Sequence, residues 1–180
     1  VFLLALGSPF FVTQSANGEA LKLGLPIRCA LGVDCWLLNL VDHDPGKGVR
    51  DFQCSDHLYD GHKGTDIAIR DLQAMRKGVP VLASAPGKVT ALRDGMLDQN
   101  PSASFQRASK RFCGNGVIVK HNAEWETQYC HLKRKSIVVK LGQKVKRGQT
   151  LGMVGHSGMA MVPHIHLSVR YRGKVVDPFV

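Results

Sequence analysis

The chain has 180 residues, about one domain by ordinary size scaling, with 44% hydrophobic and 21% charged residues. That composition excludes a disordered chain, collagen and a coiled coil. The longest apolar run, Val1 to Val12, is broken by Gly7, Ser8 and Pro9 and falls short of the ~20 residues a membrane span needs. The formal charge of +10 attracts polyanions such as nucleic acid, anionic lipid or acidic wall polymer, without choosing among them. Glutamate is scarce, with only Glu19, Glu124 and Glu126, so acid–base chemistry falls to aspartate or to the eight histidines.

In chain order, residues 1–20 read as the remnant of an export signal. An apolar stretch is followed by small polar residues from Thr13 to Ala20, while a starting Met and a basic leader are missing. A buried first strand or helix is the alternative, and the lack of a clean period disfavours it. Residues 21–55 form an extension carrying Cys29, Cys35 and Cys54, expected to pack on the core or lie over a groove. Asp42-His43-Asp44 is either a second metal site or a polar turn before Pro45-Gly46, and turn chemistry favours the turn.

From residue 56 to 180 the pattern is short strands and glycine turns. Thr65 to Ile69 alternates, Val79 to Leu92 is broken at Ala85-Pro86-Gly87-Lys88, and Gly116 to His121 with Trp125 to Leu132 makes a hairpin. Val138 to Val154 holds two glycine turns, and Ile165 to Val176 a turn at Tyr171-Arg172-Gly173-Lys174. This spacing indicates an all-β fold. Arg70 to Arg76 allows at most a short helical turn. Arg93 to Phe112 is a long polar loop, read as an insertion near a groove or a solvated excursion. Absence of any CxxC pair argues against a zinc knuckle. Cys113 and Cys130 flank the hairpin nearly opposite one another and are expected to pair in an oxidising compartment; two buried thiols are the alternative. Among Cys29, Cys35 and Cys54 the sequence does not choose. If His131 faces a groove, strand alternation points Tyr129 into it as well and Cys130 away from it.

Three clusters carry chemistry: His62-Lys63-Gly64-Thr65-Asp66, Tyr129-Cys130-His131-Leu132 and Pro163-His164-Ile165-His166. His164 and His166 share one face of a strand, and two adjacent imidazoles there are awkward as core. An Asp and a His from one segment with a His from another make the three-ligand tripod of catalytic zinc, with its fourth position open.

These motifs, in this order, resemble peptidase family M23, the lysostaphin- and LytM-like zinc metallopeptidases of the cell wall. The likeness continues through Val79-Pro80-Val81, Ala85-Pro86-Gly87-Lys88-Val89, Gly114-Asn115-Gly116-Val117, the glycine pattern of Gly142 to Gly155 and Val176-Asp177-Pro178, covering about Asp60 to Pro178. The resemblance implies antiparallel sheets forming a groove, the LytM-like fold with its duplicated hybrid motif. It implies Zn2+ held by His62, Asp66 and His166, with His131 and His164 as catalytic histidines. It further implies an exported monomer, in the periplasm and cell envelope or secreted, acting on peptidoglycan peptides. Two non-ligand histidines can serve as acid and base near neutral pH. His57 and His156 are accessory at most. Met159-Ala160-Met161-Val162 depart from the small residues usual before the family's PHxH, making the groove wall bulkier and more apolar. Some members have lost ligands and activate other wall hydrolases; here none is missing. The rival readings are a non-catalytic wall-binding or activating module and a nucleic-acid-binding protein. The latter lacks a recognisable motif.

Overall fold

A computed structural model describes residues 11–15, 18–56, 58–98 and 111–180. Among them are twelve strands and one short helix: β1 (Phe11–Ser15), β2 (Gly18–Leu23), β3 (Cys35–Asn39), β4 (Thr65–Ile69), α1 (Leu72–Lys77), β5 (Pro80–Leu82), β6 (Gly87–Arg93), β7 (Asn115–Lys120), β8 (Trp125–Leu132), β9 (Lys144–Val145), β10 (Thr150–Met153), β11 (His164–Tyr171) and β12 (Lys174–Val176). The main antiparallel sheet runs β3-β4-β11-β8-β7-β6-β9, with β12 also on β11; β1 with β2 and β5 with β10 form two-stranded sheets. The all-β expectation holds, and α1 is the short helical turn foreseen. Asp71 caps it by accepting from the Ala74 N–H. No helix among the described residues is long and apolar enough to cross a membrane.

Alternation builds the core. Ile67 and Ile69 of β4, Ile165, Leu167 and Val169 of β11, Trp125 and Tyr129 of β8, and Val117 and Val119 of β7 are all buried in one cluster. They are every second residue of their strands, so they share one sheet face. Val81, Leu151 and Val154 join the same cluster. Each fully buried aliphatic side chain is worth roughly 1.5–3 kcal/mol. Tyr129 is wholly buried, its hydroxyl accepting from the Ser84 N–H at 2.7 Å. The other face carries the remaining residues: Asp66 and Ala68 on β4, His164, His166 and Ser168 on β11, Gln128 and Cys130 on β8.

The segment before residue 56 packs on the core. Leu23, Ile27 and Cys35 are buried in it, and β3 adds an edge strand to the main sheet beside β4. Cys29–Cys35 and Cys113–Cys130 are disulfides, while Cys54 is a free, exposed thiol. The hairpin pairing of Cys113 with Cys130 is therefore present. The orientation expected for that hairpin needs correction. Cys130 lies directly across from His166 in register, which places the two on the same sheet face. Tyr129 points into the core, and His131 departs from alternation because its φ is 64°.

Of the expected export segment, residues 1–10 and 16–17 lie outside the described residues; Phe11–Ser15 and Gly18–Leu23 pair antiparallel. Residues 99–110 of the polar loop, and His57, also lie outside them. The loop's first part is tied down, with Asp98 accepting from the N–H groups of His156 and Arg134.

Candidate metal centre and histidine cleft

The order β4-β11-β8 brings together residues about a hundred positions apart. Asp66 pairs in register with His166, and Ala68 with His164. His62 enters from the turn before β4. Its backbone carbonyl accepts from the Asp42 N–H at 3.0 Å. Gly64, in the tight run between His62 and Asp66, has to be glycine: a Cβ there would stand 2.6 Å from the His166 ring.

His62, Asp66 and His166 each offer a ligand atom, all within 4.8 Å of one another. His62 Nε2 is 3.3 Å from Asp66 Oδ2, and His166 Nδ1 is 2.8 Å from Asp66 Oδ1 and 3.1 Å from His62 Nε2. The backbone fixes the tautomers. His62 Nδ1 lies 2.6 Å from the Leu40 carbonyl, which only accepts, so Nδ1 carries the proton and Nε2 presents a lone pair. Ser168 Oγ donates to the Lys63 carbonyl, so it accepts from His166 Nε2 at 3.1 Å. His166 Nδ1 then presents a lone pair as well. With both imidazoles neutral, three electron-pair donors face each other with no hydrogen between them, an arrangement that a cation resolves. A tetrahedral zinc with bonds of ~2.0–2.1 Å has ligand–ligand edges of about 3.3 Å, close to the spacings present. The donor set fits zinc.

Asp66 is buried. Burial alone would raise its pKa, but the imidazoles of His166, His62 and His164 around it favour its charged form and hold the carboxyl well below the usual carboxylate range. Burial likewise opposes charge on His62, where Asp66 prevails and the pKa is raised.

His131 and His164 stand beside this trio, their rings 4.6 Å apart between centroids. His164 Nε2 is 3.7 Å from Asp66 Oδ1. Each is pinned through Nδ1 to a backbone carbonyl at 2.8 Å, of Ser157 for His131 and of Val162 for His164. Each therefore turns a bare Nε2 away from that anchor. Burial pushes the His131 pKa well below the ordinary imidazole value, and the neighbouring His164 and His166 add to it. Burial lowers His164 too, with Asp66 opposing. Both rings are thus neutral proton acceptors near pH 7. Ser157 is itself held: Oγ donates to the Leu132 carbonyl at 2.8 Å and accepts from the Asn115 N–H at 2.9 Å.

The four histidines and one aspartate assigned to the site from the sequence, His62, Asp66, His131, His164 and His166, converge here. Reading the sequence alone misses Asn39, whose Nδ2 donates to Asp66 Oδ2 at 2.8 Å, Ser168, and the Leu40 and Ser157 carbonyls. Ser168 could have been found two residues after His166, on the same strand face. Tyr59 is also missed; its ring lies 4.6 Å from that of His62. Asp42, His43 and Asp44 form a turn. Asp42 accepts from the N–H groups of Asp44, Arg50 and Gly61, Asp44 accepts from Gly46, and His43 bonds Asp177 at 2.8 Å. Cys29, Asp34 and Cys35 also cluster, but the two sulfurs are joined to each other.

The profile of Peptidase family M23 matches residues 60–178. Among curated relatives, peptidoglycan DD-endopeptidases ShyB and ShyA of Vibrio cholerae are 34% and 35% identical over 116 residues, which is 64% of this chain and 22% of each relative. The murein hydrolase activator NlpD of Salmonella dublin is 30% identical over 133 residues, 74% of this chain and 28% of the relative. The chain thus spans about a fifth to a quarter of the length of these relatives. Among solved structures, a zinc-containing peptidase from Vibrio cholerae aligns with TM-score 0.54 and 25% identity, over 94% of this chain and 45% of that one. The catalytic domain of the prophage-encoded M23 protein EnpA from Enterococcus faecalis aligns with TM-score 0.53 and 24% identity, over 97% and 93%; that likeness concerns the fold.

Proposed function

The chain is a member of peptidase family M23, and from that premise we propose that it is an exported zinc endopeptidase cutting peptide bonds in peptidoglycan stem peptides or cross-links. The observation that carries the reading is the convergence of three unprotonated donors, from His62, Asp66 and His166, beside two buried neutral imidazoles. Bound zinc supplies Lewis-acid polarisation of the scissile carbonyl and acidifies the attacking water. One of the two bare nitrogens, His131 Nε2 or His164 Nε2, would take the proton from the attacking water, and the imidazolium so formed would deliver that same proton to the leaving amine. Their Nδ1 bonds to Ser157 and Val162 hold the rings in the required tautomer. Residues 56–180 would be the catalytic domain, 21–55 its extension and 1–20 the signal remnant. The net charge of +10 suits an anionic wall in the cell envelope.

A wall-binding or activating module is the second reading, supported by the relative named as an activator. Metal analysis of the purified protein, with mass spectrometry of muropeptides released from defined walls, decides between them. The proposal expects one zinc per chain and new peptide termini. A zinc-loaded protein that releases no peptide from any wall type overturns it in favour of the activating module.

A further inference from the structure

Trp36, Ala68 and His164 lie in one row across the sheet, since Trp36 pairs with Ala68 and Ala68 with His164. Residues directly opposite share a face, and neighbouring strands are about 4.8 Å apart. Trp36 therefore stands on the cleft's own face, its backbone roughly 10 Å from that of His164. Beside it opens a groove of about 730 Å³, walled by Trp36, Leu38, Leu72, Met161, Val162 and Pro163. Trp36 is 41% exposed and Met161 79%, so the wall is apolar surface left open among the described residues. Met161 and Val162 belong to the bulky run before His164. Trp36 and Leu38 come from β3, which precedes the family match.

The groove's rim is basic. Arg70 and Arg76 line it together with Asp71. Asp71 is engaged as the cap of α1 and faces Arg70 at 3.9 Å. Arg76 makes no ion pair within 4 Å among the described residues, which leaves a guanidinium for a carboxylate. His156 also lines the groove. Apolar walls and a guanidinium match a short acidic peptide better than a hydroxyl-rich glycan.

We infer that the Trp36–Met161 groove is a substrate subsite holding the acidic peptide arm on one side of the scissile bond, its aliphatic side chains against Trp36, Leu38 and Met161 and a carboxylate on Arg76. This rests on the peptidase reading above. It assigns the bulky Met161-Val162 run and the edge strand β3 to recognition.

Trp36 reports on its own site. The chain has two tryptophans, and the other, Trp125, is 2% exposed in the core. The zinc-loaded full chain is titrated with a synthetic acidic stem tripeptide, with its carboxamide counterpart and with the glycan disaccharide alone. The tripeptide should change Trp36 emission saturably and the disaccharide should not. The carboxamide should bind about tenfold more weakly, the effect of losing one charge-assisted hydrogen bond. Trp36→Ala should abolish the emission change and raise KM for wall peptide about tenfold, with kcat within about twofold. Arg76→Gln, on an exposed helix position, should erase the difference between acid and carboxamide. Zinc content of each variant checks that the fold is intact. Turnover with KM unchanged in both variants overturns the subsite and leaves the hydrolase reading standing. Acid-selective binding without turnover overturns the hydrolase reading alone. Disaccharide binding in place of the tripeptide overturns the subsite, and absence of both binding and turnover overturns both.

Discussion

Removing the Cys113–Cys130 bridge tests how far the hairpin braces the cleft. The bridge closes 17 residues, for which the chain-entropy argument gives about 3 kcal/mol. In a chain of this size a kcal/mol corresponds to roughly 2–4 °C in Tm, so the Cys113→Ala/Cys130→Ala protein should melt about 6–12 °C lower. The comparison belongs in zinc-free protein, because a bound metal would stabilise both forms by mass action and hide the difference. Circular dichroism melts measure it, and reducing the wild type, which also opens Cys29–Cys35, should lower the Tm at least as far. A functional effect should accompany the stability effect. The His131 N–H donates to the Cys113 carbonyl at 2.8 Å, and Cys130 sits opposite His166. Loosening this hairpin displaces the group proposed above for proton transfer, and an ångström of misplacement can cost ~10²-fold. Turnover should fall at 20 °C, where the variant is still folded. A Tm loss below about 2 °C, with unchanged turnover, would refute the bracing argument.

Four further outcomes are expected. His166→Ala should remove most zinc and all activity, and full stoichiometric zinc in that variant would disprove the ligand assignment. His131→Ala and His164→Ala should keep zinc yet lose ~10²–10⁴-fold in turnover; a loss below about tenfold in both would leave them as structural histidines. Asn39→Ala frees Asp66 Oδ2 from its 2.8 Å hydrogen bond and should weaken zinc binding about 10–100-fold in a chelator competition, where unchanged affinity would count against the role. His131 is held neutral in the fold by burial, whereas its unfolded form titrates near the ordinary value of about 6.5. Below that pH the unfolded chain binds more protons, so this contribution to stability falls as pH falls. Zinc-free wild type should therefore lose more stability than His131→Gln between pH 7 and pH 5 in denaturant titrations; equal losses would contradict the assignment.

The legible parts of the sequence are those set by local period or local motif. Strands β4, β7, β8 and β11 alternate, and their buried residues are the ones the pattern picks out. The HKGTD and PHIH runs are each weak alone, since a capping Asp with a surface His or an isolated pair of strand histidines is common, and they become legible together as a three-ligand tripod. The role of β3 was not legible. Trp36, Leu37 and Leu38 are all partly exposed, so this run has no alternation to read, and its neighbour in the sheet lies about thirty residues away. Asn39 and the Leu40 and Ser157 carbonyls reach the site only through such long-range pairing. Backbone groups carry no residue signature at all.

His131 is where the alternation rule fails, and the failure bears on function. Among the described residues the other non-glycine ones with positive φ are Cys54, Lys135 and Arg172, all outside the strands, whereas His131 is inside β8. A left-handed conformation costs an L-residue roughly 1–2 kcal/mol. Ordinary strand geometry would have sent the ring to the core face beside Tyr129. Instead the backbone turns it toward His164 and His166, with its N–H bonded to Cys113 and its Nδ1 to Ser157. The Ser157 loop is in turn held close to the Cys113 side by Gly114 and Gly158: a Cβ on either would stand 2.4 Å from backbone of the other segment. Such strain persists when its surroundings enforce it, and it concentrates at working sites. A module that only held wall peptide would have no need to present a bare, neutral Nε2 at this point. The cost is reasonable for a group that must receive a proton there, which is why the hydrolase reading is preferred over the activating one.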